Sequence, residues 1–157
     1  MDKPKMPAPR MVMSTIAKRF LLPHCQPLTI DLVQGVDVQN QTADVTWRAG
    51  NVPVSTRFDD PYFSLENGLA ETRHIFLRAN GLPERLCDGF SVAELGFGTG
   101  LNFLATLQMW EASRNAGRLR FTSFEAYPMS AADMGTALAG FERAGLRTCA
   151  LVDAWRT

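Results

Sequence analysis

Residues 93–102 read AELGFGTGLN. The apolar run FSVAEL, residues 90–95, leads directly into the glycine-rich turn Gly96-Phe97-Gly98-Thr99-Gly100. A short apolar run that ends in glycines is typical of a buried parallel strand. From Leu101 onward, apolar residues recur at helical spacing, which predicts a helix ending near residues 115–117.

A second strand and two more helices follow the first helix. Residues 119–124 (LRFTSF) predict a second buried strand, which ends at Glu125. Ser130 with Asp133 resembles a capping box and predicts a helix through about Phe141, and a last helical stretch is expected at residues 146–155. Strand, glycine turn, helix and strand form a βαβ unit with a right-handed crossover, the opening of an open α/β sheet.

The part of the chain before this unit has a different character. Residues 28–33, 43–47 and 52–55 alternate and are β-prone, which predicts a small antiparallel β appendage with a turn at Ala49-Gly50-Asn51. The stretch FDDPYFS, residues 58–64, is interrupted by Pro61 and predicts a loop. Residues 1–27 are expected to be a flexible N-terminal tail, and residues 28–157 a partial domain.

A helix is predicted between that loop and the glycine turn. Ser64 is the expected N-cap. The inward face at steps of four and three would be formed by Leu65, Leu69, Thr72, Phe76 and Ala79. The sequence Asn80-Gly81-Leu82-Pro83 is expected to end the helix.

The composition sets limits on the function. The chain has 157 residues, 46% hydrophobic and 20% charged, with a net charge of zero, which is typical of one globular domain. Without a global basic field, any contact with RNA must come from a local patch or a fused partner. Cys25, Cys87 and Cys149 lack metal-ligand spacing and predict reduced thiols in a cytoplasmic protein, with no metal and no membrane segment.

The glycine turn predicts a nucleoside cofactor. Backbone N–H groups and a helix N-terminus meet at the carboxyl edge of the sheet, where ligands bind. The pattern is GxGxG, and Leu101 occupies the place of the third glycine of a dinucleotide fingerprint. Glu94 would attract the cationic amino-acid end of S-adenosylmethionine (SAM) and repel a pyrophosphate. Glu125 can accept hydrogen bonds from ribose hydroxyls in either cofactor class, so SAM is favoured over NAD(P), and a purely structural turn stays open.

Several blocks together resemble a known family. Residues 52–55 (VPVS), FDDPYFS, residues 67–77 (NGLAETRHIFL), residues 94–104 (ELGFGTGLNFL) and residues 123–128 (SFEAYP) are similar, in order and spacing, to the N-terminal methyltransferase domain of the MnmC-like family. The resemblance covers roughly residues 45–136. It implies the N-terminal portion of a Rossmann-like SAM-dependent methyltransferase fold, class α/β, preceded by the antiparallel β appendage.

The resemblance also implies an activity and a set of site residues. The family methylates the 5-aminomethyl group of a wobble (2-thio)uridine in tRNA with SAM, giving 5-methylaminomethyl uridine, and a fused FAD-dependent domain performs the preceding step. The implied cofactor-binding residues lie in the glycine turn, at the ends of the two strands and in the FDDPYFS loop: Glu94, Gly96, Gly98, Thr99, Gly100, Leu101, Asn102, Glu125, Asp59, Asp60, Tyr62, Phe63 and Ser64. Phe58 and Phe63 have a rival role in core packing.

The resemblance implies that the general base lies beyond Thr157, in a later DGFAP-type segment, and that the FAD domain also lies outside this chain. Asp88-Gly89-Phe90 reads DGF, but it precedes the first strand and predicts a turn instead. The chain is therefore interpreted as a fragment, a frameshifted product or a short SAM-binding module, with little methyl transfer expected from it alone. A non-catalytic SAM-binding protein and an NAD(P)-binding oxidoreductase fragment remain the alternatives.

Overall fold

The computed structural model describes residues 13–20, 28–35, 42–64, 67–113 and 117–156. Within these ranges the chain forms two sheets and a set of helices. The strands are β1 (Met13–Phe20), β2 (Leu28–Gly35), β3 (Val45–Arg48), β4 (Val52–Ser55), β5 (Asp60–Pro61), β6 (Ser91–Leu95) and β7 (Arg120–Glu125). The α-helices are α1 (Gly68–Glu71), α2 (Leu101–Ala112), α3 (Ala131–Leu138) and α4 (Thr148–Trp155).

The larger sheet contains the predicted βαβ unit. Its strand order is β1-β2-β7-β6, with β6 parallel to β7, β7 parallel to β2, and β1 antiparallel to β2. The parallel pair β6–β7, joined through α2, confirms the prediction made from the glycine stretch. Both strands end at the same edge of the sheet, so the glycine turn after Leu95 lies beside the end of β7 at Glu125.

Two expectations for the N-terminal part differ from the structure. Residues 28–33 were assigned to the antiparallel appendage, and this is wrong because β2 pairs in parallel with β7 in the larger sheet. Residues 13–20, within the expected tail, form β1 on the outer edge of β2. Strand pairing of residues far apart in sequence decides both placements, and local alternation carries no information about it.

The smaller sheet is the predicted antiparallel appendage in shortened form. Its order is β3-β4-β5, and Gly50 (φ 80°) and Asn51 (φ 59°) form the turn between β3 and β4. The FDDPYFS stretch was expected to be a loop throughout. Instead, Asp60 and Pro61 pair with Ser55 and Val54 as a two-residue strand, so the stretch is held against β4.

The helix before the glycine turn differs from its prediction in start and register. Its N-cap is Asn67, not Ser64, and the Asn67 side chain accepts a hydrogen bond from the Ala70 N–H at 3.0 Å. After α1 the chain continues as a π-helix (Thr72–Leu77) and a 3-10 turn (Arg78–Asn80). The wider π turn moves Leu77 inward, fully buried, in place of the predicted Phe76, which is only half-buried. Gly81, in the left-handed region, ends the helix as expected.

The helices after the glycine turn largely confirm the prediction. The Ser130 hydroxyl accepts a hydrogen bond from the Asp133 N–H at 3.1 Å and caps α3. This helix ends at Leu138 and continues as a 3-10 helix (Ala139–Ala144), so the predicted end near Phe141 falls within the continuation. The predicted end of α2 lies partly outside the described residues.

The core lies on one face of the larger sheet. Phe121 of β7 and Leu104 of α2 are almost fully buried in one cluster with residues of the π-helix, α3 and α4. On the opposite face of β6, Ser91, Ala93 and Leu95 are exposed, and Leu95 is 88% accessible. The prediction that β6 is a buried strand therefore fails on this face in the described part of the chain.

Candidate cofactor-binding site

The glycine turn after β6 has the backbone geometry that the sequence predicted. Gly96, Gly98 and Gly100 all have positive φ, at 86°, 56° and 79°. A side chain at Gly96 would meet no atom within 4 Å, so the main chain there faces open space. A side chain at Gly100 would lie 2.7 Å from a Leu151 methyl group, so that glycine is required by packing. The turn therefore has one glycine open to a ligand and one closed against the core.

Glu125 connects the end of β7 to the glycine turn. Its Oε2 accepts a hydrogen bond from the Gly98 N–H at 2.8 Å, and its Oε1 accepts one from the Tyr127 N–H at 2.9 Å. Each carboxylate oxygen has a second lone pair that can accept a further hydrogen bond. The carboxylate thus holds the turn in place and still offers acceptors at the sheet edge.

Glu94 is a buried carboxylate behind the turn. It is 7% exposed, and its Oε2 accepts a hydrogen bond from the Asn102 amide at 3.2 Å. Its Oε1 is buried and makes no hydrogen bond of standard geometry, and the same holds for the hydroxyl of Ser123, the residue opposite it in the β6–β7 register. Burial raises the pKa of Glu94 to about 7, and the nearby charge of Glu125 acts in the same direction, whereas the adjacent Ser123 hydroxyl and Asn102 amide lower it. An unpaired, buried acceptor is costly unless a ligand donor completes it.

Tyr62 of the FDDPYFS stretch lies over the glycine turn. A Cβ built on Gly98 would be 3.1 Å from its ring, and the Tyr62 N–H donates to the Pro53 carbonyl at 3.0 Å. Burial, and secondarily the charge of Glu125, raises the pKa of its phenol. The structure thus brings Tyr62 together with Gly98 and Glu125, and its role at a cofactor stays a prediction.

The other residues of that stretch lie elsewhere. Phe63 makes an edge-to-face contact with Phe141, with centroids 5.3 Å apart, which is core packing. Asp59 and Asp60 are exposed. Ser64 is half-buried. A direct role for these four residues at the cofactor stays a prediction.

Three further predicted residues support the turn from within. Thr99 and Leu101 are buried, at 3% and 4% exposure, so their side chains pack under the turn. Asn102 is half-buried and reaches Glu94, as described above.

Sequence reasoning missed the contribution of α4 to the turn. The Trp155 ring stacks on Phe97, with centroids 5.0 Å apart and planes 4° apart, and its Nε1–H donates to the Met129 carbonyl at 2.8 Å. Leu151, also on α4, fills the space over Gly100. The aromatic and apolar spacing in residues 146–155 predicted only a helix, because the sequence alone cannot show which element a distant helix contacts.

Tyr62 and Tyr127 line an open cleft of about 400 Å³ together with residues that follow β4. The guanidinium carbon of Arg57 lies 4.4 Å from the centroid of the Tyr127 ring, and Phe58 packs edge-on against the same ring at 5.9 Å. Phe58 is 63% exposed, so core packing is not its role here. Arg57 directly precedes the FDDPYFS stretch and Tyr127 lies within residues 123–128, and these positions were the available signal.

Within the described ranges, no helix has both the length and the apolar character needed to cross a membrane. No group of three or more His, Cys, Asp or Glu side chains suitable for a metal ion occurs in those same ranges.

Comparison with known proteins reveals close relatives. No family model matches the chain. The chain is 44% identical over 121 residues to the tRNA 5-methylaminomethyl-2-thiouridine biosynthesis bifunctional protein MnmC of Aeromonas hydrophila, covering 72% of this chain and 18% of that protein. It is 51% identical over 102 residues to the protein of the same name from Methylobacillus flagellatus, covering 62% and 16%. For the Marinobacter nauticus protein of that name, the identity is 48% over 107 residues, covering 62% and 17%. The chain thus spans less than a fifth of the length of these relatives.

Proposed function

From the premise that this chain belongs to the MnmC family, we propose that it forms the SAM-binding part of a tRNA methyltransferase. The proposed reaction methylates the 5-aminomethyl group of a wobble (2-thio)uridine and gives 5-methylaminomethyl uridine. The relatives' names concern biosynthesis of this modified uridine in tRNA. The observation that carries the proposal is the buried Glu94 carboxylate with its unpaired oxygen behind an open glycine turn.

The residues present fit the amino-acid end of SAM. An ammonium donor would complete Glu94 Oε1, the acceptor that the described chain leaves unpaired. A second acceptor faces the turn at Glu125, whose free lone pairs suit ribose hydroxyls. Gly96 leaves its main chain accessible because nothing lies within 4 Å of the position where a side chain would begin.

The same geometry disfavours a dinucleotide. A pyrophosphate at the turn would lie between two carboxylates, Glu94 behind it and Glu125 beside it, and both would repel it when ionised. We therefore place NAD(P) second among the candidate cofactors.

Bound SAM supplies an electrophilic methyl group on a sulfonium. For this chain's own residues, we propose three tasks. Glu94 holds the ammonium, Glu125 holds the ribose while fixing Gly98, and Tyr62 closes the turn from the side of β4. None of the described residues has been assigned the role of the general base that deprotonates the amine. We therefore propose that this chain alone binds the cofactor and transfers few methyl groups to tRNA.

The test is the thermal unfolding of the chain with and without S-adenosylhomocysteine, the demethylated product, and with NADH in a parallel sample. Binding to the native state raises the midpoint by mass action. We expect an upward shift with S-adenosylhomocysteine that NADH does not produce. A shift with NADH alone would refute the SAM assignment, and no shift with either would refute cofactor binding.

A pair of matched variants localises the site. In Gly96→Ala, the added methyl group occupies the space proposed for the ligand, at a backbone cost of about 1–2 kcal/mol for positive φ. Gly89→Ala is the control, because Gly89 (φ 76°) also has nothing within 4 Å and lies before the opposite end of β6. We expect Gly96→Ala to lose the shift and Gly89→Ala to keep it.

Methyl transfer is tested separately with SAM and tRNA that carries the 5-aminomethyl group. A shift with S-adenosylhomocysteine without turnover would select a non-catalytic SAM-binding protein. Turnover by the chain alone would contradict the proposal that it transfers few methyl groups.

A further inference from the structure

A second groove lies away from the glycine turn, between the π-helix and α2. Its volume is 640 Å³, and its lining includes Arg73, His74 and Arg78 from one side and Gln108 and Met109 from the other. It follows α2 from Ala105 to Ala112, about 10 Å along the helix axis. We propose that this groove binds the phosphate backbone of RNA.

The groove is positively charged in a chain that has no net charge. Its lining contains two arginines and a histidine and no aspartate or glutamate. The formal charge of the whole chain is zero. Such a local concentration of guanidinium groups is the patch that an uncharged chain needs for contact with a polyanion.

The π-helix brings the two arginines together. In an α-helix, residues five apart point about 140° away from each other. Here the Arg78 N–H donates to both the Arg73 and the His74 carbonyls. The contact with Arg73 is the five-residue step of a π turn, and both arginine side chains line the same groove. π-helical turns are rare and frequently occur at functional sites.

The arginines are available for a ligand. The Arg73 guanidinium is oriented by the Gln108 side-chain oxygen at 2.6 Å, and Gln108 in turn donates to the Ala144 carbonyl at 2.8 Å. Within the described residues, neither Arg73 nor Arg78 forms a salt bridge with a carboxylate, whereas Arg147 pairs with Glu111 at 2.9 Å. A guanidinium has five N–H donors, so Arg73 retains donors for a bidentate phosphate contact.

The occupant follows from the proposed function, on which this inference rests. An acidic peptide would also satisfy these charges. The names of the relatives, however, concern a modified uridine of tRNA. The phosphodiester groups of RNA match a guanidinium in charge and geometry. The apolar floor at Leu77 and Met109 provides no acceptor that would compete for the arginines.

The test measures the affinity of the 157-residue chain for an unmodified tRNA transcript by fluorescence anisotropy at several salt concentrations. The plot of log K against log salt has a negative slope, and each lost phosphate contact reduces the magnitude of that slope by about 0.7–0.9. We expect the double variant Arg73→Gln/Arg78→Gln to bind tRNA more weakly, with a slope whose magnitude is smaller by about 1.4–1.8. Arg78→Gln alone should produce about half that change. Arg48→Gln is the matched control, because Arg48 is an exposed arginine on β3, outside the groove.

Several results would overturn the inference. These are an unchanged slope in the double variant, an equal loss in the control, absence of tRNA binding by the unmodified chain, or competition by polyglutamate as effective as that by tRNA. The Arg78 side chain makes no hydrogen bond within the described part of the chain, so we expect Arg78→Gln to unfold at the same midpoint temperature as the unmodified chain. That measurement checks that the variant is folded. The thermal shift with S-adenosylhomocysteine is measured on the same samples. If S-adenosylhomocysteine gives no shift in the unmodified chain while the salt slope changes as expected in the arginine variants, the cofactor proposal alone is refuted. If the shift is present and the slope is unchanged in the variants, the groove proposal alone is refuted.

Discussion

The ionisation of Glu94 should make the stability of this protein fall as pH rises through neutrality. Burial raises its folded-state pKa from the model-compound value of 4.5 to about 7. Between these two values the folded chain holds a proton that the unfolded chain has released. The free energy of unfolding therefore decreases with increasing pH in this range.

The magnitude follows from the size of the shift. One pKa unit corresponds to 1.36 kcal/mol, so the full change from below pH 4.5 to above pH 7 amounts to about 3 kcal/mol. That is a large part of the stability of an ordinary domain, about 5–15 kcal/mol. The steepest slope, about 1.4 kcal/mol per pH unit, is expected between pH 5 and pH 6.5.

Urea unfolding at pH values from 5 to 8.5 measures this contribution. Glu94→Gln removes the titrating group with little change of shape, so we expect the variant to lose the decline that the unmodified chain shows. Glu84→Gln, which changes an exposed glutamate, is the control and should keep the decline. The same pH dependence in Glu94→Gln and in the unmodified chain would refute the reasoning.

The cofactor proposal adds a second consequence at the same residue. A bound ammonium pairs with the ionised carboxylate, so binding of S-adenosylhomocysteine requires Glu94 to lose its proton. We expect the affinity to fall toward tenfold per pH unit below pH 7 in the unmodified chain, and to show no such fall in Glu94→Gln.

Three further predictions concern the fold around the site and are checked by urea unfolding. Leu77→Ala should cost about 2–5 kcal/mol because Leu77 is fully buried by the π turn, whereas Ile75→Ala, at a 59% exposed position, should change stability by less than about 0.5 kcal/mol; a larger loss at Ile75 would contradict the observed register. Gly100→Ala should cost more than the 1–2 kcal/mol expected from positive φ alone, since its methyl group would lie 2.7 Å from Leu151, and a smaller cost would show that α4 does not pack on the turn. Ser130→Ala should cost about 1 kcal/mol through loss of the α3 N-cap, and no cost would argue against that cap.

The sequence predicted those features whose causes are local. Gly96, Gly98 and Gly100 specify a turn with positive φ, and the runs before and after it specify a strand and a helix. Ser130 with Asp133 specifies the start of α3. The small antiparallel hairpin followed from alternation around a glycine turn. In each case the residues that decide the structure are within a few positions of one another.

Features that depend on partners far away in the sequence could not be predicted from it. The pairing of β2 with β7 rather than with the hairpin depends on strand contacts across some ninety residues, and the alternation within β2 is compatible with either neighbour. The π turn buries Leu77 instead of Phe76. It follows from packing against the core, because helix propensity alone favours an unbroken α-helix. The stacking of Trp155 on Phe97, the unpaired oxygen of Glu94 and the joining of Arg73 with Arg78 along one groove likewise arise from three-dimensional packing. The sequence determined which chemical groups this protein has, and the tertiary structure determined which of them are buried, paired or open to a ligand.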